Sequence, residues 1–379
     1  MLDRQGRVLP DHVSVAIVGA GPAGLGVARV LRDLQIPDVW VLERGQVGQH
    51  FLNWPKDTRL LTPSFPGNVF GITDLNAISF DSSPGWALKR EHPSGRDYAR
   101  YLKHAATAFD LNVHCGIEVQ GLEPDGDWMS LHTDQGEIRA DYVIWAGGQF
   151  GAPSDAGLVG AEHGWHYSTI QSWRDVPGDE AYVIGGYESG IDAAVGLARS
   201  GKHVTVFDLG APWGGSEKDP SRTLSPFTHQ RLDSVLRAGK VTLEGHEEIV
   251  ALEREEGGIR IYGGNGRSWL TPHPPILATG FKTGTMPIVQ WFDYGEHGLP
   301  LLTPQDESTA LPGLFLVGPE VSHNGHLFCF IYKFRQRFAV VARAIAGRIG
   351  TDTRILELYR DNNMYLDDLA CCDADKCLC

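Results

Sequence analysis

One pattern occurs twice in the chain and restricts its fold more than any other feature. The first copy is VSVAIVGAGPAGLGVARVLRDLQIPDVWVLER. Its continuous apolar run from Val13 to Val18 predicts a strand buried on both faces. Gly19, Gly21 and Gly24 follow as G-x-G-x-x-G, with Pro22 and Ala23 between them; a helical stretch then runs to about Leu34. A second strand is predicted over 39–42, ending at Glu43 and Arg44. The second copy, AYVIGGYESGIDAAVGLARSGKHVTVFDLG, repeats the order. Its first strand ends at Ile184, its glycine turn carries Gly185, Gly186, Ser189 and Gly190, and its second strand ends at Asp208.

The spacing supports a dinucleotide-binding β-α-β unit in both places. Glu43 lies 24 residues after Gly19, and Asp208 lies 23 after Gly185. Such a unit needs an acid at about that distance to bond ribose hydroxyls. Its glycines let the backbone approach a pyrophosphate, and the helix N-terminus offers unpaired N–H donors and a partial positive charge.

The rest of the chain fits around these two units. Ser94 is predicted to cap a helix through Phe109, with Tyr98, Tyr101, Leu102, Ala105 and Phe109 on one face. Strands are expected over 113–119, 128–133 and 138–145, the last ending in Ala146-Gly147. Further short strands are expected near 241–243, 249–253, 259–262 and 276–278, the last reaching Gly280. GLFLVGPEV reads as a closing strand with Gly318, and HLFCFIYKFRQRFAVVARAIAGRI as one long amphipathic helix whose Lys333, Arg335 and Arg337 face solvent. The expected fold is α/β, with two nested Rossmann-like domains. The first spans 1–150 and resumes at 295–365, the second spans 155–290, and a cysteine-rich tail occupies 366–379.

Composition narrows the partners. The formal charge is −14, from 47 acids against 33 Lys and Arg. Affinity for nucleic acid comes largely from Lys and Arg neutralising phosphates, so no nucleic-acid partner is expected, and no anionic membrane surface. The first apolar run is broken by glycines and Pro22 and has no signal-peptide flank, so a cytoplasmic location is expected.

These motifs resemble the two-dinucleotide-binding-domain flavoproteins, which include thioredoxin reductases, bacillithiol-disulfide reductases and flavin-containing monooxygenases. The resemblance covers nearly the whole chain to about residue 350. It implies FAD at the first fingerprint, with Gly19, Gly21, Pro22, Ala23, Gly24, Glu43, Arg44, Asn53, Trp54, Val119, Ala146, Gly147 and Gly318 around it. It implies NADH or NADPH at the second, with Gly185, Gly186, Ser189, Gly190, Asp208 and Gly280. The family usually has Gly-Asp where this chain reads Gly318-Pro319-Glu320, so Glu320 is the candidate substitute. Homodimers are common in the group. Trp54 and Phe328 are candidate walls of the flavin pocket.

The electron acceptor is the open question. Disulfide reductases of this group need a thiol pair at the flavin, either C-x-x-C in the second domain or C-x4-C after the first fingerprint. Neither exists here, and Ala23 stands where bacillithiol-disulfide reductases carry a Cys. The expected function is therefore an FAD-dependent NAD(P)H oxidoreductase of the monooxygenase-like branch, passing electrons to oxygen and a small substrate. Two alternatives stay open. Cys371, Cys372, Cys377 and Cys379 are candidates for a redox relay to a disulfide or soft metal ion, or for a soft-metal site in a flavin-bearing sensor or carrier. The partner would then be a thiol or soft-metal acceptor. His323 and His326 are candidate proton donors beside the flavin, His166 reads first as a loop histidine, and Cys115 and Cys329 as inert core residues. Asp208 without a nearby Arg implies a preference for NADH, with both ribose hydroxyls bonded to its carboxylate, unless Lys202 or Arg222 reaches the site.

Overall fold

The computed structural model describes residues 9–65, 67, 71–215, 217, 219–295 and 298–370. Its first half opens with β1 (His12–Val18), α1 (Pro22–Asp33) and β2 (Val39–Glu43). α2 (Gly95–Ala108) follows, then β3 (Val113–Cys115), β4 (Val119–Asp125), β5 (Trp128–Thr133) and β6 (Gly136–Trp145). The second fingerprint lies in β7 (Trp165–His166), β8 (Glu180–Ile184), α3 (Glu188–Arg199) and β9 (His203–Asp208). After α4 (Pro226–Arg237) come β10 (Val241–Gly245), β11 (Ile249–Glu255), β12 (Gly258–Gly263), β13 (Ser268–Thr271) and β14 (Ile276–Leu277). β15 (Leu314–Leu316) and α5 (Phe338–Ile349) close the fold.

Two sheets carry the two fingerprints. In the first, the order is β3-β2-β1-β6-β5-β4, and β15 pairs with β6 as the seventh strand. β6 is long enough to serve two neighbourhoods. Its first residues pair antiparallel with β5, and its last ones lie parallel between β1 and β15. In the second sheet, β10-β9-β8-β14-β7 are all parallel. β11, β12 and β13 form a separate antiparallel sheet.

Burial follows the sequence pattern closely. Val13, Val15, Ile17, Leu25, Ile144 and Phe315 are inaccessible in the first core, and Val183, Ile191, Val206 and Ile276 in the second. The C-terminal part returns to the first domain through one contact that a glycine permits. A Cβ on Gly26 of α1 would stand 2.0 Å from the Phe338 ring of α5, so the two helices touch at a bare backbone. α2 is capped by Ser94 as expected, and the cap is a capping box, with Ser94 accepting from Asp97 N–H and Asp97 accepting from Ser94 N–H.

Three expectations need correction. The strand foreseen over 113–119 is broken after Cys115 by Gly116, at φ +80°, whose N–H donates to the Gly45 carbonyl. The long helix foreseen from His326 starts later. His326–Leu327 pairs with Ser322–His323 as a small hairpin, and helical backbone begins at Ile331. Arg335 and Arg337 do not form a solvated face. They are 4% and 0% exposed, and Arg337 donates Nε and Nη2 to Asp306 at 2.9 and 2.8 Å. Among the described residues, no helix is long and apolar enough to cross a membrane.

Candidate active site

A cavity of about 540 Å³ opens at the C-terminal ends of β1, β2 and β6. In open α/β sheets this is where ligands bind. The chain there supplies Gly19, Gly21, Pro22 and Ala23 after β1, Glu43 and Arg44 at β2, Val119, and Ala146 and Gly147 after β6. The walls beyond are His50, Trp54, Phe150, Phe281 and Met286, with Pro319, Cys329 and Phe330 opposite.

The glycines have different jobs. A Cβ on Gly24 would lie 1.9 Å from the Gly19 carbonyl, and one on Gly19 would lie 2.5 Å from the Ala146 carbonyl. Both hold strand, helix and turn in contact. Gly21 is different: nothing stands within 4 Å of its Cβ direction, and the residue lines the cavity. It also forms the N-cap of α1, where no side chain caps the helix and no acid occupies the first turn. Uncapped N–H donors beside an open lane suit a pyrophosphate. Glu43 accepts from Ala20 N–H and Gly45 N–H, both at 2.8 Å. A carboxylate has about four acceptor positions, so about two stay open for a ribose. Cavity, bare glycine, helix end and acid together fit FAD.

The second fingerprint repeats the frame with changes. Gly190 is the counterpart of Gly24, its Cβ direction ending 1.8 Å from the Gly185 carbonyl. The position matching Gly21 is Tyr187, whose hydroxyl donates to the carbonyls of Ser221 or Thr223. Trp213 packs on Gly186, 2.3 Å from where a Cβ would be. Asp208 accepts from Gly186 N–H at 2.7 Å, Gly210 N–H at 2.7 Å and Ala211 N–H at 2.9 Å. About one acceptor position is left, so the expected pair of ribose bonds reduces to one. Both suspected cations bond backbone carbonyls rather than Asp208. Lys202 donates to the Gly178 carbonyl, before β8, and Arg222 to the Gly325 carbonyl at 3.0 Å.

Other candidates divide sharply. Trp54 lines the cavity, whereas Phe328 is buried in the core and Asn53 is turned to Gln49 at 2.9 Å. Gly318, at φ +117°, and Ser189 do not line it. Gly280 sits at φ +82° and accepts from His166 Nε2, which makes His166 a hydrogen-bonded residue at the end of β7 rather than a loop residue, with its pKa lowered mainly by burial. Glu320 is 4% exposed and accepts the Gly284 N–H at 2.9 Å. It therefore anchors the wall segment at Thr283–Gly284 rather than facing the cavity, and burial raises its pKa. His323 pairs with Asp306 at 2.5 Å, and His326 is buried; neither lines the cavity. Cys115 ends β3 as expected. Cys329 stands just before the helix rather than on it, and it lines the cavity, its thiol 3.2 Å from Ser221 Oγ and its pKa raised by burial. Cys371, Cys372, Cys377 and Cys379 lie outside the described residues. Among the described residues no group of His, Cys, Asp and Glu could hold a metal ion.

Sequence reasoning missed His50. Its Nε2 accepts from Arg44 Nη2 at 3.1 Å, and burial, then the Arg44 charge, lower its pKa to about 4. The ring is thus a neutral acceptor in the cavity wall. The signal was present in the loop GQHFLNWP, but a lone histidine there is not distinguishable from an exposed one.

Comparison with known proteins agrees with this geometry. The sequence profile of the pyridine nucleotide-disulphide oxidoreductases matches residues 16–318. A ferredoxin–NADP reductase of Lacticaseibacillus paracasei is 28% identical, over 91% of this chain and 96% of its own. A Baeyer-Villiger monooxygenase of Streptomyces coelicolor is 29% identical, over 58% of this chain and 44% of its own. Among solved structures, the bacillithiol disulfide reductase from Staphylococcus aureus has a TM-score of 0.74 at 18% identity, covering 89% of this chain and 99% of its own. Two dinucleotide frames, a cavity fitted to FAD and a profile spanning both domains lead to one conclusion: the chain belongs to the pyridine nucleotide-disulphide oxidoreductase family, as an FAD-dependent NAD(P)H oxidoreductase.

Proposed function

We propose that the enzyme moves electrons from NADH through FAD directly to an acceptor in the flavin cavity, with no protein dithiol between them. One observation carries this reading: among the described residues, Cys329 is the one cysteine that lines the cavity, so no described thiol pair stands beside the flavin site. FAD accepts the hydride and passes the electron pair on, and the protein binds, orients and shields it. The aromatic wall of Trp54, Phe150 and Phe281 excludes water, while neutral His50, its Nε2 accepting from Arg44, keeps its Nδ1–H as a donor and adds no charge.

Such a wall favours oxygen with a small organic substrate, as in the monooxygenase-like branch. The balance is then NADH, a proton, oxygen and substrate giving NAD⁺, water and the oxygenated product. A reductase reading is favoured by a different observation: the ferredoxin–NADP reductase similarity covers 91% of the chain, whereas the Baeyer-Villiger monooxygenase similarity covers 58%. A set of acceptors separates them. Oxygenated product formed one-for-one with NADH consumed supports the first. Complete release of peroxide with fast turnover on ferredoxin or a disulfide would overturn it. Loss of disulfide turnover on truncation after Leu369 would instead assign a relay to the cysteine tail.

NADH is preferred to NADPH on this reading. A 2′-phosphate would meet the Asp208 carboxylate with Lys202 and Arg222 both committed elsewhere. Flavin reduction in the wild type should be at least tenfold faster with NADH, and Asp208→Ala should narrow that ratio. Faster reduction by NADPH in the wild type would refute the reading of this pocket.

A further inference from the structure

A second cavity, of about 190 Å³, lies away from both glycine turns. One wall is the face of α3 that carries Asp192, Gly196 and Arg199, and Arg231 comes from α4. Trp173 and Arg174 come from the segment before β8. Arg59 and Asp57 belong to the loop that follows the first fingerprint. The lining thus joins both domains, and it holds four arginines against two aspartates in a chain whose overall charge is −14.

The fixed part of this cavity is built around Arg231. Its Nη1 donates to Asp192 Oδ1 at 2.6 Å and its Nη2 to Thr228 Oγ1 at 3.2 Å. Its guanidinium lies 4.4 Å over the Phe227 ring, whose other neighbour is the His92 ring, stacked at 3.7 Å. Asp192 in turn accepts from the Thr58 and Tyr167 hydroxyls. Arg231 is 7% exposed and cannot swing, yet its Nε–H has no acceptor among the described residues. The same holds for Trp173, 1% exposed, whose indole N–H is also unpartnered. Both N–H groups are sealed from solvent, so the polar surface that the cavity presents comes from its other arginine groups. Arg174 and Arg199, at the exposed rim, have no carboxylate within ion-pair distance among the described residues. Arg59 spends one nitrogen on the carbonyls of Lys56 and Thr58.

We propose that this cavity binds a small multivalent oxyanion, the phosphate or polycarboxylate end of a metabolite, distinct from FAD and the nicotinamide nucleotide. Its oxygens accept from the guanidinium groups of Arg174, Arg199 and Arg59, with the fixed Arg231 cation behind them. The volume admits such a group with a few attached atoms and is too small for a dinucleotide.

The test uses the FAD-loaded enzyme with saturating NAD⁺, so that both pyrophosphate sites are filled. Inorganic phosphate and citrate are titrated separately by calorimetry at constant ionic strength set with chloride. One saturable site per chain is expected for at least one of the two, and the tighter anion identifies the source. R174Q/R199Q, which alters only rim side chains, should weaken binding at least tenfold with FAD content unchanged. Heats no different from chloride for both anions would overturn the proposal. So would saturable binding that R174Q/R199Q leaves intact.

Discussion

Two glycines five residues or fewer apart in the first turn make opposite demands on the chain. At Gly24 a methyl group would press on the Gly19 carbonyl, so Gly24→Ala must move the strand or the helix, at about 1–3 kcal/mol or more. The expected outcome is a lower thermal midpoint in the apoprotein and no flavin colour after purification. Gly21→Ala meets nothing in the protein and should leave the apoprotein midpoint within about a degree, while reducing FAD affinity at least tenfold, because only the ligand needs that space. Equal damage to apo stability from both changes would refute this division. His50 gives a pH signature. Its pKa falls from 6.5 in the unfolded chain to about 4 in the fold, so the unfolded state takes up a proton first as pH drops. Its contribution to stability is complete above pH 6.5 and is lost as pH falls from there through 4. His50→Gln keeps an acceptor for Arg44 and should flatten that part of the midpoint-versus-pH curve.

Between elements, the buried Arg337–Asp306 pair joins the start of α5 to the loop before β15, with further bonds from Arg337 to the carbonyls of Pro304 and Leu366. Arg337→Met strands a fully buried carboxylate beside His323 and should cost about 3–5 kcal/mol. R337M/D306N should recover much of the loss in urea denaturation, since Asn tolerates the φ of +61° at residue 306 and carries no charge. No recovery would show that packing, not charge, dominates there. This pair also marks what the sequence could show. Strand, glycine turn, helix and acid recur locally, so β1, α1, β8 and α3 were readable from neighbours in the chain. Lys333, Arg335 and Arg337 alternate with aromatics in a way that fits a solvated helix face. The partners that bury them are distant: Asp306 is 31 residues from Arg337, and the Asp74 carbonyl 261 from Arg335. The hairpin at His326–Leu327 was hidden similarly, because its apolar residues continue the helical period that follows. Within the flavin cavity, the β1 and β2 contributions were legible, while His50 arrives from a single helical turn over 49–52, and Phe281 and Cys329 from loops, whose course no period encodes.

Over the whole molecule, the first sheet is discontinuous in sequence and the second is not. All five strands of the second lie between Trp165 and Leu277, whereas the seventh strand of the first is β15. A fragment of residues 155–290 should therefore fold alone, with a cooperative melt and dispersed amide resonances. A fragment of residues 1–150 should fail to retain FAD until residues 291–370 are supplied in trans. Flavin retention by the first fragment alone would contradict the dependence on β15 and α5. That discontinuity sets a timetable for biosynthesis. On the ribosome the nicotinamide unit can finish while the flavin cradle still lacks a strand and the helix that rests on Gly26. Flavin can then be captured only after β15 and α5 have emerged, so the vitamin supply of the cell acts at that late moment, on a chain already half assembled.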